Sequence, residues 1–223
     1  MTILFIFRFL ILIDQIMKSF FALFFLCTIS LSSFAQNNKG LNEKLEDIHS
    51  LDQNIRLALN NPEMNLKKDS LIAEMKSIDT ENQKYIGDLL DSIGWPSDLS
   101  FNANMAIFLV IQHAGVDYMN KYASYVEDAY KKNLVPIGAY IVFVDRMKMY
   151  SGNPQVYGSQ IIIIKNVLYM WPVEDAENLA ARRNTAGLPS IEDYMKGFGK
   201  DVVWDKNTKI EDLRKLDGYH FKW

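Results

Sequence analysis

The side chains best suited to chemistry fall in three short stretches of the chain. His113 follows Gln112, Arg146 follows Asp145, and the segment 152–160 reads Gly-Asn-Pro-Gln-Val-Tyr-Gly-Ser-Gln. An imidazole gains and loses a proton near neutral pH, and a guanidinium binds carboxylates and phosphates through paired hydrogen bonds. Together these residue types predict a site for a small polar or anionic molecule.

The predicted ligand-binding residues come from all three stretches: Gln112, Arg146, Gln155, Tyr157 and Gln160. Glycine-containing loops that carry side-chain amides and a tyrosine often bind ligands. A structural interpretation stays open beside this one. In it, the loop amides satisfy the backbone at a corner of the chain, and Arg146 belongs to an ion pair between helices.

A catalytic interpretation assigns His113 as a general base, with Asp145 or Glu174 as its partner carboxylate. The chain lacks the Gly-x-Ser-x-Gly nucleophile elbow, which argues against an acyl-enzyme route. The structural alternatives are that His113 lies half-buried at the end of a helix and that Glu174 caps the helix after it.

The chain gives no sign of a metal or cofactor site. Its one cysteine is Cys27, and its three histidines, His49, His113 and His220, have the spacing of no zinc motif. The segment 152–160 lacks the glycine spacing and the lysine of a phosphate-binding loop. We therefore expect no metal and no cofactor.

The charge of the chain argues against nucleic acid as a partner. The formal net charge is −3, and no basic cluster stands out. Because phosphate binding needs a concentrated basic surface, we expect no nucleic-acid partner.

Residues 17–35 have the anatomy of a secretory signal peptide. Lys18 precedes an apolar run, and the segment closes in small residues that predict cleavage after Ala35. We then expect translation to start at Met17, so that residues 1–16 are not part of the protein. An uncleaved N-terminal anchor is the alternative, although the run is shorter than the roughly 20 apolar residues that a spanning helix needs.

Cleavage at this point predicts an exported protein, periplasmic or extracellular, with no membrane span in the mature chain. The removed segment carries Cys27, so the mature chain is expected to be free of disulfides. Its stability must then come from its hydrophobic core.

Residues 36–78 are predicted to form a helical arm. Leu41, Leu45, Ile48 and Leu59 follow a helical spacing that gives one narrow apolar seam. Because the seam is narrow, we expect the arm to dock loosely on the rest of the chain. The same seam, over 41–76, is also suited to pairing with a helix of a partner protein.

Residues 79–223 are predicted to form a compact helical domain with one small β-hairpin, which makes the fold class mainly α. Helices are expected to begin at Asp79 or Thr80, Ser100, Asp117 and Pro136, and glycines to end them at Gly94 and Gly152. The hairpin is placed at about 157–171, with Lys165-Asn166 as its turn.

The order and spacing of several segments resemble a family of uncharacterised bacterial proteins, catalogued only as a domain of unknown function. The resemblance covers about 79–195 and rests on these segments: Gly94-Trp95-Pro96, Gln112-His113-Ala114, Asp145-Arg146, the loop 152–160 and Trp171-Pro172-Val173-Glu174-Asp175. It implies a mostly helical domain with a small hairpin and no established activity.

Three functions remain open from the sequence. The first is a periplasmic module that binds or senses a small molecule. The second is a hydrolase or transferase that uses His113 as its base. The third is a structural or interaction protein that uses the helical arm. A pocket that holds His113 and a carboxylate would favour the enzyme, a pocket with donors but no carboxylate the binder, and no pocket the interaction protein. The most informative observation is therefore whether 112–113, 145–146 and 155–160 meet in space.

Overall fold

The computed structural model describes residues 39–220; the predicted signal peptide lies outside them. Five long helices come first: α1 (39–60), α2 (Lys68–Ile93), α3 (Phe101–His113), α4 (Val116–Lys131) and α5 (Ile137–Tyr150). A 3₁₀ turn, Pro62–Lys67, joins α1 to α2. The second part contains β1 (Ile161–Ile164), β2 (Val167–Met170), a 3₁₀ turn (Ala176–Asn178), α6 (Leu179–Thr185), α7 (Ile191–Lys196), β3 (Val202–Val203) and α8 (Ile210–Arg214). The expected fold class, mainly α with a small sheet, is confirmed.

The five long helices share one hydrophobic core. Its buried members include Leu45, Ile48, Ile86, Leu90, Ile107, Phe108, Ile111, Tyr122, Val126 and Phe143. Leu45 and Ile48 of α1 are 0% and 2% exposed. This packing argues against a loosely docked arm over α1, while Leu41 and Leu59 of the same seam stay partly exposed. Leu45 and Ile48 are not accessible to a partner helix.

Helix α2 is continuous, and the start expected at Asp79 or Thr80 is wrong. The carboxylate of Asp79 forms an ion pair with Arg56 at 2.9 Å instead of capping a helix. The Thr80 hydroxyl donates to the Lys76 carbonyl within the same helix. The boundary placed between residues 78 and 79 thus falls inside a single helix.

Several local signals are confirmed. The Ser100 hydroxyl accepts from the Ala103 N–H and caps α3, Gly94 ends α2 with φ +73°, and Pro136 precedes α5. At α4 the cap position belongs to Gly115, and Asp117 lies in the first turn. An acidic residue there still interacts favourably with the positive end of the helix.

The hairpin forms as expected, with Lys165 and Asn166 at φ +47° and +67°. Two successive positive φ values give the turn that matches the twist of paired antiparallel strands. β1 and β2 are antiparallel, and β3 adds a parallel strand at the other edge of β2. β3 was not predicted, because a two-residue strand carries no readable periodicity.

The sheet lies between two smaller hydrophobic clusters. One contains Met149, Ile162, Ile164, Trp171, Ile210 and Leu213. The other contains Met170, Leu179 and Ile191. Through Met149 the first cluster fixes the sheet, and the loop that precedes it, against the end of α5. Within residues 39–220 no helix is long and apolar enough to cross a membrane.

Candidate ligand-binding site

The guanidinium of Arg146 is the point where three predicted segments meet. Its Nη1 donates to the Gln112 carbonyl at the end of α3, over 2.9 Å. Its Nε makes a longer contact, 3.4 Å, to the side-chain oxygen of Gln160 in the loop before β1. Arg146 therefore contacts the Gln160 side chain and, on α3, the backbone carbonyl of Gln112. Both acceptors are neutral, and no carboxylate within residues 39–220 forms an ion pair with Arg146.

The surroundings of Arg146 are unfavourable for a positive charge. Burial is the largest cause and lowers the pKa of its guanidinium; Tyr150 and Tyr194 oppose this shift, whereas the nearby charge of Arg56 acts in the same direction as burial. An arginine nevertheless stays protonated at neutral pH. The site thus holds a partly buried cation without an anionic partner among the described residues.

His113, one residue beyond Gln112, is held by a carboxylate that sequence reasoning did not select. Its Nδ1 lies 3.1 Å from Oδ1 of Asp52 on α1. Asp52 is only 1% exposed, and the same oxygen also pairs with Arg56 at 2.9 Å. The other oxygen, Oδ2, accepts from the Gln53 side chain at 2.7 Å. The expected partners of His113, Asp145 and Glu174, do not occupy this position.

A signal for Asp52 was present in the sequence. It interrupts the apolar seam of α1 at a step where a hydrophobic residue is expected, and a charge in a buried seam needs a partner. Its partner could not be named because His113 is 61 residues away.

The electrostatics of Asp52 favour its ionised form. Burial alone raises its pKa, but the hydrogen bond and charge of His113, together with the charge of Arg56, bring the pKa below its usual value. Asp52 is therefore a carboxylate at neutral pH and accepts hydrogen bonds without donating any.

Asp145 forms no ion pair with Arg146 and instead organises the loop. It is fully buried, and it accepts from the backbone N–H groups of Val156, Tyr157 and Ser159 at 2.7, 3.0 and 2.9 Å. Adjacent residues on a helix diverge by about 100°, so the two neighbours serve different partners. Burial raises the pKa of Asp145, and the three N–H groups oppose that rise.

Gln155, which was predicted to bind ligand, makes its hydrogen bonds to other residues of the chain. It is fully buried, and its amide donates to the carbonyls of Gln160 and Trp171 while accepting from the Gln160 N–H. The carbonyl of Tyr157 accepts from Arg183. The loop therefore has a fixed main chain, and Gln160 is the member that touches Arg146.

Glu174 and the side chain of Gln112 take no part in the contacts of Arg146. Glu174 pairs with Lys148 at 3.2 Å on the surface, where both side chains are more than 40% exposed. The side chain of Gln112 is buried, and its Oε1 has no hydrogen-bond partner among the described residues. Over the same residues, no group of three or more His, Cys, Asp or Glu side chains is arranged to hold a metal ion.

Asp52 makes stability depend on pH. Because its pKa is lower in the folded than in the unfolded chain, ionised Asp52 stabilises the fold above the unfolded pKa of about 4. That stabilisation is lost as the pH falls through the lower folded pKa. We expect Asp52→Asn to lower the melting temperature at pH 7, and the difference from wild type to shrink as the pH falls below about 5. Thermal melts followed by circular dichroism measure this.

The matched control for this prediction is Asp128→Asn, at an exposed position of α4. It should leave the pH dependence of the melting temperature unchanged. A constant difference between Asp52→Asn and wild type from pH 7 to pH 3 would contradict the assignment.

A comparison with protein-family models matches residues 39–203 to a family of unknown function, DUF6624. The chain belongs to that family, and the resemblance to an uncharacterised family is confirmed. The match extends beyond 79–195 on both sides and includes α1, in agreement with the packing of Leu45 and Ile48 in the main core. Neither the curated proteins nor the solved structures gave a match.

Proposed function

We propose that the protein binds a small anionic molecule through Arg146. The observation that carries this proposal is a partly buried guanidinium whose protein partners are a backbone carbonyl and a side-chain amide. Buried charges in proteins are normally paired, because removing a charge from water is costly. A bound carboxylate or phosphate supplies the missing charge.

The geometry around Arg146 suits a fixed ligand position. The Gln112 carbonyl and the Gln160 amide hold two of the guanidinium nitrogens, Nη1 and Nε, whereas Nη2 has no hydrogen-bond partner among residues 39–220. Gln160 is itself fixed, because its amide donates to the Val142 carbonyl of α5. A preorganised donor of this kind loses little entropy when an anion binds.

A hydrolase or transferase is the second candidate, and the Asp52–His113 pair favours it. A general base needs an orienting partner for its second ring nitrogen, and Asp52 contacts Nδ1 of His113. In that case Asp52, and not Asp145 or Glu174, would position the imidazole. An enzyme would turn over the anion that Arg146 holds, so anion binding is common to both candidates.

Substitution of Arg146 tests the proposal. Isothermal titration calorimetry with phosphate, sulfate, propionate and lactate should detect binding to the wild-type protein. Arg146→Gln should weaken that binding at least about tenfold, because hydrogen bonds to charged groups contribute roughly 1.5–3 kcal/mol.

Arg214→Gln is the matched control, since Arg214 is exposed on α8 and the change in net charge is the same. It should leave the affinity within about twofold, as expected for a surface substitution. Equal affinities in wild type and Arg146→Gln, or no binding of any of the four anions, would contradict the proposal.

We further propose that the protein acts outside the cytoplasm, as the segment 17–35 indicates. Mass spectrometry of protein recovered from the periplasm or medium of the expressing cells should then give a chain that begins at Gln36. Leu26→Arg places a charge in the apolar run and should leave full-length precursor. Wild-type chain of full length in the membrane fraction would contradict export by cleavage.

A further inference from the structure

We propose that the ligand carries a hydrogen-bond donor next to its anionic group, as an α-hydroxy- or α-amino-carboxylate does. This inference rests on the proposed function, because it names the class of anion that Arg146 binds. It is based on the tautomer that Asp52 imposes on His113. It is also based on the position of that histidine next to Gln112, whose carbonyl contacts Arg146.

The contacts of Asp52 determine the tautomer of His113. Asp52 is buried, accepts from Gln53 and pairs with Arg56, which are the contacts of an ionised carboxylate. An ionised carboxylate only accepts hydrogen bonds. The proton of the contact to His113 therefore lies on Nδ1. In the neutral ring this leaves a lone pair on Nε2, which makes Nε2 an acceptor.

The side chain of His113 is partly exposed, and its Nε2 has no partner among residues 39–220. The side chain of His113 is 18% exposed, and its one hydrogen bond to residues 39–220 is the contact from Nδ1 to Asp52. The ring thus presents an acceptor that the described part of the chain leaves unpaired.

His113 is the residue that follows Gln112, whose carbonyl accepts from Arg146. Arg146 Nη1 bonds the carbonyl of Gln112, which is joined to His113 by a peptide bond. Arg56 contacts the same Asp52 oxygen as His113, and its charge also reaches Arg146. The guanidinium and the imidazole therefore both lie at the C-terminal end of α3.

An acceptor beside a cation selects among anions. A simple carboxylate satisfies Arg146 alone, whereas a carboxylate with a neighbouring O–H or N–H also satisfies Nε2 of His113. Sites built to hydrogen-bond a hydroxyl or amine discriminate against analogues that lack it, because a polar group is then left unpaired. The predicted ligand class follows from this difference.

Lactate and propionate are the matched probes, since they differ by one α-hydroxyl group. Affinities from ¹H–¹⁵N chemical-shift titrations at pH 8 should favour lactate about fivefold in the wild-type protein, the contribution of one hydrogen bond. His113→Phe keeps a ring but has no acceptor. It should retain propionate binding and reduce the preference for lactate to less than twofold.

A second measurement does not depend on any variant. In the neutral ring of His113, the ¹⁵N shifts should show a protonated Nδ1 and an unprotonated Nε2. The opposite tautomer, equal affinity for the two acids in wild type, or an unchanged preference in His113→Phe would overturn the inference. If neither acid binds, both this inference and the proposed function are wrong. If the two acids bind equally, only the proposed ligand class is wrong.

Discussion

Leu45→Ala should destabilise the protein by about 2–5 kcal/mol, the usual cost of emptying a buried leucine position. Leu45 is fully buried on α1 and packs in the cluster shared by all five long helices. If α1 docked loosely, the cavity would cost little, because the helix could shift or detach. Chemical denaturation followed by circular dichroism gives the free energy of unfolding.

Leu57→Ala is the matched control, because Leu57 lies on the same helix and is 67% exposed. It should change the free energy of unfolding by less than about 0.5 kcal/mol. Similar small effects of the two substitutions would restore the loosely docked arm that the sequence suggested. A large loss in Leu45→Ala alone makes α1 part of the cooperative core.

Asp145→Ala should cost about 3 kcal/mol or more. The substitution leaves three backbone N–H groups of the loop without their acceptor, and each unpaired buried donor costs about 1–3 kcal/mol. Removing a buried charge offsets part of that loss. Asp145→Asn keeps one oxygen acceptor and should cost less than Asp145→Ala. Thermal and chemical denaturation measure both.

The control is Asp88→Ala, because the side chain of Asp88 is 70% exposed and pairs with Lys84 on the surface. Its melting temperature should stay close to that of the wild-type protein. If Asp145 were catalytic and not structural, the Asp145→Ala protein should be nearly as stable as wild type. That result would return Asp145 to the candidate catalytic residues.

The features that the sequence predicted correctly are local ones. Ser100 caps α3, Gly94 ends α2 and Lys165-Asn166 forms the hairpin turn, since each depends on a few adjacent residues. The expected start at Asp79 or Thr80 was wrong, because Asp79 has a partner in Arg56. A capping residue and an ion-pairing residue look the same until the neighbouring helix is known.

The candidate site was only partly predictable, because its contacts join residues that are distant in the sequence. Arg146 and Gln160 were selected by residue type, and their side chains are in contact. Gln112 contacts Arg146 through its backbone carbonyl, which residue type does not determine. Asp52 was missed as the partner of His113, because α1 is distant from α3 along the chain. Asp145 was predicted to be a catalytic partner of His113, whereas its contacts are with the backbone of the loop. Such contacts cannot be recognised from the spacing of residues in the sequence.

The most direct test of anion binding at Arg146 is the ¹H–¹⁵N signal of its own Nε–H. We predict that this signal, assigned by its loss in Arg146→Lys, shifts in a saturable way as the tightest-binding of the four tested anions is added. The dissociation constant from that shift should equal the value from calorimetry, while the Nε–H signal of exposed Arg214 stays in place. An Arg146 signal that does not move while calorimetry records binding would place the anion elsewhere and contradict the account.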